Sequence, residues 1–239
     1  MLVNRDNFYK VAPFYEQNAL VQKLMADNLI DFVKSHLGDS FNKIFEIGCG
    51  TGLLTRIVQE KLKYQDLILN DLKNFVFTNK EYHFIKGDIE DIEISEKFDL
   101  ILSNATFQWV KKLDQLFDKL SYSLYERGFL AFTTFGKDNL KEIKSITGVG
   151  LDYIDIDSYL SLLEKRFNII MYKEEIVQLY FENPANILKH IKFTGVNSIK
   201  KVQWTKRDYF NFCKDYDEFK TEKGYLLTYN PFYFIVVKK

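Results

Sequence analysis

Two acidic residues close short apolar runs and a third stands inside one: Asp71 in LILND (67–71), Asp88 in IKGDIED (85–91) and Glu46 in IFEIGCGTG (44–52). The run around Glu46 stops at Gly48, Gly50 and Gly52, three of only eleven glycines in the chain. Glycines there let the backbone take positive φ and let a ligand approach without a Cβ in the way. Their spacing, G-x-G-x-G with Cys49 inside the turn, differs from the G-x-G-x-x-G of dinucleotide sites, and Glu46 would repel a phosphate. A carboxylate in this position suits a ligand with a positive group; the competing reading is a glycine turn that serves packing alone. About twenty residues on, Asp71 is placed to accept hydrogen bonds from both hydroxyls of a ribose. Asp88 is placed to accept from an adenine amine while Ile89 packs on the ring, and a solvated acidic loop is the alternative for Asp88 taken alone.

These residues require a scaffold that brings strand ends together. KIFEIG (43–48), DLILND (66–71), HFIK (83–86), FDLILSN (98–104) and GFLAFTTF (128–135) read as strands. Helix-compatible segments follow each of them except the third, which predicts crossover connections and a mostly parallel sheet covered on both faces. LVQKLMADNLIDFV (20–33) has helical spacing, and a further helix is expected near 155–165. FNIIMYKEEIVQLYF (167–181) and PFYFIVVKK (231–239) read as a final strand pair, making seven strands in all. Between them, 183–230 reads as helical and polar, with Asn183 as N-cap and Pro184 in the first turn, a lid inserted before the last strand. The expected organisation is one domain over 1–239 with N-terminal helices in 1–36 and the lid at 183–230. At the carboxyl edge of such a sheet the three acids describe an adenosine-bearing ligand with a cationic end, as in S-adenosylmethionine with its α-ammonium.

Composition limits the alternatives. Lys plus Arg and Asp plus Glu are 33 each, so no global basic field points to nucleic acid. Cys49 and Cys213 are far apart, which fits a reducing compartment and excludes a disulfide framework. The N-terminus is broken by charges and Pro13, unlike a signal peptide or a membrane span, so a cytoplasmic location is expected. His36, His83 and His190 form no recognisable ligand cluster, and no metal is expected.

E-x-G-x-G-x-G, the strand-end Asp71 and G-D-I-E together are similar to the motifs of class I methyltransferases dependent on S-adenosylmethionine, which have a Rossmann-like fold. In that family the donor methyl meets its acceptor after the fourth strand, here LILSNATFQWV (100–110). The N-P-P-[YF] of nitrogen-directed members is replaced by SNATFQW, which weighs against a nucleobase target. The resemblance implies Asn104 as a cofactor-side polar contact and Phe107, Gln108 and Trp109 as walls of the site, Phe107 on the cofactor side; aromatic core packing is the alternative for Phe107. With its flanks, SNATFQWV resembles the malonyl-[acyl-carrier protein] O-methyltransferases of biotin synthesis. The similarity includes Phe8, Ala12, Tyr15, Gln17 and Gln22 near the N-terminus, GFLAFTTFGKDNLKEI (128–143), ILKHIKFTGVNS (187–198) and the L-T-Y strand of YLLTYNPFYFIVVKK (225–239). One departure is the stretch from Asp71 to Asp88, which is shorter than usual and lacks a Ser-Pro after the acid; it affects the wall beside the adenine, including Leu72.

The resemblance implies methylation of the free carboxyl of a malonyl thioester on acyl-carrier protein. The alternatives are a methyltransferase for a small free acid and a non-catalytic partner subunit. It also implies Tyr15 as the hydroxyl that orients the carboxylate, with Gln22 seven residues later on the same helix on the cofactor side. A carboxylate acceptor agrees with the lack of any Ser-His-Asp or Cys-His arrangement, because a pKa of about 4 leaves it ionised without a general base. Residues 183–207 hold Lys189, Lys192, Lys200, Lys201, Lys206 and Arg207 with no acid beyond Glu182, a run that reads either as a solvated helix face or as a dock for the acidic carrier protein. Lys192 matches a lysine of the family's lid motif, and the alternative for it is an inward turn to the phosphopantetheine or the carboxylate.

Overall fold

The computed structural model describes residues 15–74, 81–194 and 205–239. In chain order its helices are α1 (Leu20–Leu37), α2 (Leu53–Lys61), α3 (Leu113–Tyr122), α4 (Lys141–Thr147), α5 (Ile156–Leu163), α6 (Pro184–Phe193) and α7 (Lys206–Asp215). Its strands are β1 (Lys43–Ile47), β2 (Asp66–Asp71), β3 (His83–Lys86), β4 (Phe98–Ser103), β5 (Leu124–Phe135), β6 (Phe167–Glu174), β7 (Val177–Phe181), β8 (Lys220–Thr221), β9 (Gly224–Tyr229) and β10 (Pro231–Lys238). The chain divides into two compact units: the larger takes Gln22–Thr134, Ile154–Glu174 and Phe232–Lys239, and the smaller takes the residues up to Val21, Phe135–Tyr153 and Glu175–Pro231.

The larger unit holds a seven-stranded sheet in the order β3-β2-β1-β4-β5-β10-β6. The pairs β1/β2, β1/β4, β2/β3 and β4/β5 are parallel, and β10/β6 is antiparallel. Four of the five residues of strand β1 are buried because its alternate side chains enter two separate cores. Ile44 joins Leu54, Val58, Leu100, Leu102 and Ile235 on one face. Phe45 joins Phe98, Phe107, Phe132 and Phe234 on the other, with Phe45 stacked on Phe98 at 4.8 Å and Phe132 on Phe234 at 4.9 Å. Burying both faces is what makes these strands continuous apolar runs in the sequence. The order reverses at β1, which has β2 on one side and β4 on the other, so its carboxyl end opens at the switch point where such sheets take ligands.

The five predicted parallel strands and the helix near 155–165 form as expected, and α1 runs to Leu37. The segment after β2 expected to be helical lies partly outside the described residues, which omit 75–80. The expected final pair needs correction. Residues 167–181 are two strands: β6 pairs with β10, while β7 pairs with β9 in a three-stranded sheet of order β7-β9-β8. The exchange of partners falls at Pro231, which has no N–H to continue a ladder; its carbonyl accepts from Glu175 N at 2.9 Å, and Asn230 Nδ2 donates to Glu175 O at 3.0 Å. The segment 183–230, read as helical and polar, holds α6 and α7 but also β8 and β9, and the L-T-Y of 227–229 lies in β9, as its resemblance to a closing strand implies. The smaller unit also includes Phe135–Tyr153.

In the smaller unit α6 begins as expected, with Asn183 accepting from Asn186 N and Pro184 in the first turn. Thr205 and Asp208 form a reciprocal capping box at the start of α7. Buried Glu142 accepts from Thr228 N at 3.0 Å and from the Thr228 hydroxyl. Buried His190 shares a 2.8 Å hydrogen bond with the Tyr229 hydroxyl, and burial pushes its pKa down to about 4, so the imidazole is neutral at neutral pH.

Candidate active site

The glycine turn is held by β2. Gly48 N and Cys49 N both donate to Asn70 O, at 2.8 and 3.0 Å, and Gly50 N donates to Asp71 Oδ2 at 2.8 Å. Gly48, Gly50 and Gly52 have φ of 70, 53 and 82°, the left-handed region that glycine takes without strain. At Gly48 a second constraint acts: a Cβ would stand 2.2 Å from Thr106 Oγ1 and 2.9 Å from Thr106 Cβ. This glycine is required by the segment after β4, in addition to any ligand. Cys49 is buried among Leu54, Leu69 and Leu102, and burial raises its thiol pKa, so it contributes packing and backbone to the turn.

Glu46 is buried and accepts from the Thr55 hydroxyl at 2.7 Å. Burial pushes its carboxyl up to about 8; the Thr55 bond opposes the rise and the charge of Asp71 adds to it. Burial therefore favours the protonated, hydrogen-bonded form of Glu46, against the lowering influence of the Thr55 bond and of the Arg56 charge. A cation placed next to it would draw the proton off. Because burial raises this carboxyl from the ordinary 4.5 to about 8, the fold keeps a proton that the unfolded chain releases, and stability falls as pH rises between those values. Thermal unfolding from about pH 6 to about pH 8 is expected to show a falling Tm that flattens in Glu46→Gln. An unchanged slope in that variant would remove Glu46 as the source.

Asp71 ends β2 and lies about one tenth exposed, at 9%, which leaves its carboxylate anchored on the Gly50 N–H yet reachable from the turn. Leu72, directly after it, is half-buried. Asp88 is also half-buried, and its Oδ1 accepts from Glu90 N at 3.1 Å, shaping the turn after β3. Ile89 is 5% exposed within the aromatic core, so its side chain packs into the protein, which corrects the expectation that it lies on a ligand ring. Asn70 Nδ2 joins this turn to β2 by donating to Ile85 O at 2.9 Å and Gly87 O at 3.0 Å.

After β4, Asn104 acts as a bracket: Nδ2 donates to Gln22 O at 3.0 Å and Oδ1 accepts from the Thr133 hydroxyl at 2.6 Å. Ala105 takes φ 51°, costly for a residue with a Cβ, and its N–H donates to Thr133 Oγ1 at 3.0 Å. Gln108 folds back, donating from Nε2 to Ala105 O, and accepts from the Thr134 hydroxyl at 3.4 Å. Phe107 is fully buried with its ring 4.7 Å from Phe132 and 6.0 Å from Phe117, so the packing alternative holds for it and its role as a wall is corrected. Trp109, in the same short turn, stays half-buried. Thr55, Thr106 and Thr133 shape the site without any signal in the sequence, since each acts on a residue at least nine positions away.

An adenosyl sulfonium ligand fits this donor and acceptor set. Two buried oxygens in the larger unit, Gln22 Oε1 and Thr51 Oγ1, have no hydrogen-bond partner among the described residues, a cost of about 1–3 kcal/mol each that a polar ligand would relieve. Thr51 lies inside the glycine turn, and Gln22 is joined to the end of β4 through Asn104.

Tyr15, Lys189 and Lys192 belong to the smaller unit. The helix is interrupted at Ala19, so Tyr15 precedes the helix that carries Gln22, contrary to the expectation of one continuous helix. Burial, with a smaller contribution from the charge of Glu16, raises the pKa of the Tyr15 hydroxyl and keeps it protonated. Lys189 and Lys192 are both exposed on α6. Phe8, Ala12, Lys200 and Lys201 lie outside the described residues. Among the described residues no helix is long and apolar enough to cross a membrane.

The sequence matches the methyltransferase domain family over residues 45–132. The fold is similar to a candidate methyltransferase from Bacillus halodurans, with a TM-score of 0.64 at 12% identity over 88% of this chain and 98% of the other. It is also similar to the plantazolicin methyltransferase solved with S-adenosylhomocysteine, with a TM-score of 0.55 at 13% identity over 97% and 90% of the two chains. Curated relatives are much nearer in sequence. The malonyl-[acyl-carrier protein] O-methyltransferase of Calditerrivibrio nitroreducens is 56% identical over 238 residues, covering 100% of this chain and 97% of the relative. That of Bacteroides thetaiotaomicron is 34% identical over 252 residues, covering 98% and 97%. With this identity along its whole length and a class I methyltransferase sheet beneath it, the chain belongs to the malonyl-[acyl-carrier protein] O-methyltransferase family.

Proposed function

We propose that this protein methylates the free carboxyl of a malonyl thioester carried on acyl-carrier protein, with S-adenosylmethionine as donor, giving the methyl ester from which a pimeloyl chain for biotin is built. The observation that carries this reading is the 56% identity over the full chain to a relative of that name. When bound, the donor supplies a sulfonium methyl that the ionised substrate carboxylate accepts, so the protein needs no general base. Its own residues then bind and align. Asp71 is assigned to the ribose hydroxyls, Asp88 to the adenine amine, and the glycine turn with Gln22 and Asn104 to the amino-acid end. Gln108 and Trp109 are assigned to the acceptor side, where an aromatic, water-poor wall favours a step that neutralises two charges. Tyr15, protonated, is assigned to orienting the carboxylate without the strong attraction of an arginine, which would blunt the nucleophile.

Lys189 and Lys192 on α6 and Lys206 and Arg207 at the start of α7 are assigned to guiding the acidic carrier protein; all four are exposed. Mass spectrometry of malonyl-carrier protein incubated with donor tests the activity: one added methyl on the acyl group is expected, and methylation of free acids alone would overturn the reading. The same assay separates the roles. Lys189→Glu with Lys192→Glu is expected to lower kcat/KM for the carrier-bound substrate several-fold more than for a small malonyl thioester, and Tyr15→Phe to lower both about equally. A carrier-to-small-substrate ratio unmoved by the lysine changes would remove the docking role.

A further inference from the structure

Helix α3 carries a lysine whose ammonium group is fully engaged by backbone. Lys119 Nζ donates to the carbonyl oxygens of Ile89, Glu90 and Ile92, each at 2.9 Å. An ammonium has three protons, so these bonds use its whole donor capacity. The three carbonyls belong to one turn, in which Asp91 N and Ile92 N both donate to Asp88 O at 2.9 Å and Glu90 N donates to Asp88 Oδ1. The other end of the same helix holds the turn as well. Glu90 Oε1 accepts from Lys111 N at 3.1 Å and from Lys112 N, the N-cap of α3, at 2.9 Å.

This double attachment adds to the bonds that tie the turn to β2. The turn leaves β3, a four-residue strand at the edge of the sheet, through Gly87 at φ 149°, where Gly87 N donates to Asp71 O at 3.0 Å and Gly87 O accepts from Asn70 Nδ2 at 3.0 Å. With α3 as a splint, the turn is clamped at two points roughly 10 Å apart along one helix. Removing the ammonium would leave three part-buried carbonyls without their donor, and the turn would have to reorient to hydrate them. The Asp88 carboxylate would move with it, because its position is set by the Glu90 N–H in that turn.

We propose that Lys119 is a positioning residue for nucleobase recognition, holding the 88–92 turn so that the Asp88 carboxylate meets the exocyclic amine of the bound adenosyl group. The inference rests on the assignment of Asp88 to that amine. Lys119 touches neither ligand nor reacting atoms; it acts through the turn.

Calorimetry with S-adenosylhomocysteine and with its deaminated counterpart, S-inosylhomocysteine, tests it on the whole protein. A carboxylate facing the base favours the amine of the first over the carbonyl oxygen of the second. Lys119→Met is expected to narrow the preference for the adenine ligand by roughly tenfold, Asp88→Ala to narrow it similarly, and the double variant to add little. Lys119→Arg, which retains the charge but cannot converge on three carbonyls from one nitrogen, is expected to behave like Lys119→Met and serves if that variant does not fold. A lysine that only supports stability would weaken both ligands equally, so an unchanged preference in both Lys119 variants, with Asp88→Ala narrowing it, overturns the role of Lys119 and leaves the adenine assignment standing. A preference that survives Asp88→Ala overturns the adenine assignment, and the inference falls with it.

Discussion

Asp71→Ala is expected to weaken the affinity for S-adenosylhomocysteine by on the order of a hundredfold while leaving the sheet folded. The carboxylate has two tasks at one point: Oδ2 takes the Gly50 N–H at 2.8 Å, and the group faces the turn at the end of β2. Hydrogen bonds from a ribose diol to a charged acceptor are worth about 1.5–3 kcal/mol each, and the loss of the Gly50 bond loosens the turn that the ligand would otherwise find formed. Asp71→Asn, which still offers an oxygen to Gly50 N, is expected to lose less. With donor at saturation the turnover of Asp71→Asn should stay near that of the wild type, because the residue is assigned to binding and not to the acceptor. Unchanged calorimetric affinity in Asp71→Ala, with unfolding like the wild type, would remove the ribose assignment.

The largest expected effect on stability is that of Gly48→Ala. A residue with a Cβ at φ 70° is strained by about 1–2 kcal/mol, and here the Cβ would also meet the Thr106 side chain at 2.2 Å, an overlap costing about 1–3 kcal/mol more. Rotating Thr106 brings no full relief, since its own Cβ stands at 2.9 Å from the new atom. Gly48→Ala should therefore lower stability by roughly 2–5 kcal/mol, and adding Thr106→Ala should restore the part due to the overlap. Denaturant unfolding of the four proteins of this cycle measures the coupling. Strictly additive effects would mean that backbone conformation alone requires the glycine. Because Thr106 lies between Asn104 and Gln108 in the segment after β4, the same contact joins the glycine turn to that segment.

Much of the larger unit was legible in the sequence. Its parallel strands appear as unbroken apolar runs because both faces of each are covered, and the glycine turn with Asp71 and Asp88 marks the ends where the sheet opens. The start of α6 was legible too, since Asn183 and Pro184 act on N–H groups within three residues of themselves. All of these are local effects, and composition records them.

Other features depend on partners distant in sequence, and only the tertiary structure decided them. The Glu46 carboxyl is pushed up in pKa because β1 buries it, with the Thr55 hydroxyl of α2 as its hydrogen-bond partner. Phe107 packs on Phe132 because β4 and β5 lie side by side and direct their aromatics to the same face. The run 167–181 reads as uniform strand, yet its two halves join different sheets, a choice made by Pro231 and Asn230 more than fifty residues away. Sequence patterns of period two or 3.6 report which face a residue takes, so the parallel strands and the capped helix start could be read directly; what that face meets is set by the register between strands, which no local pattern contains.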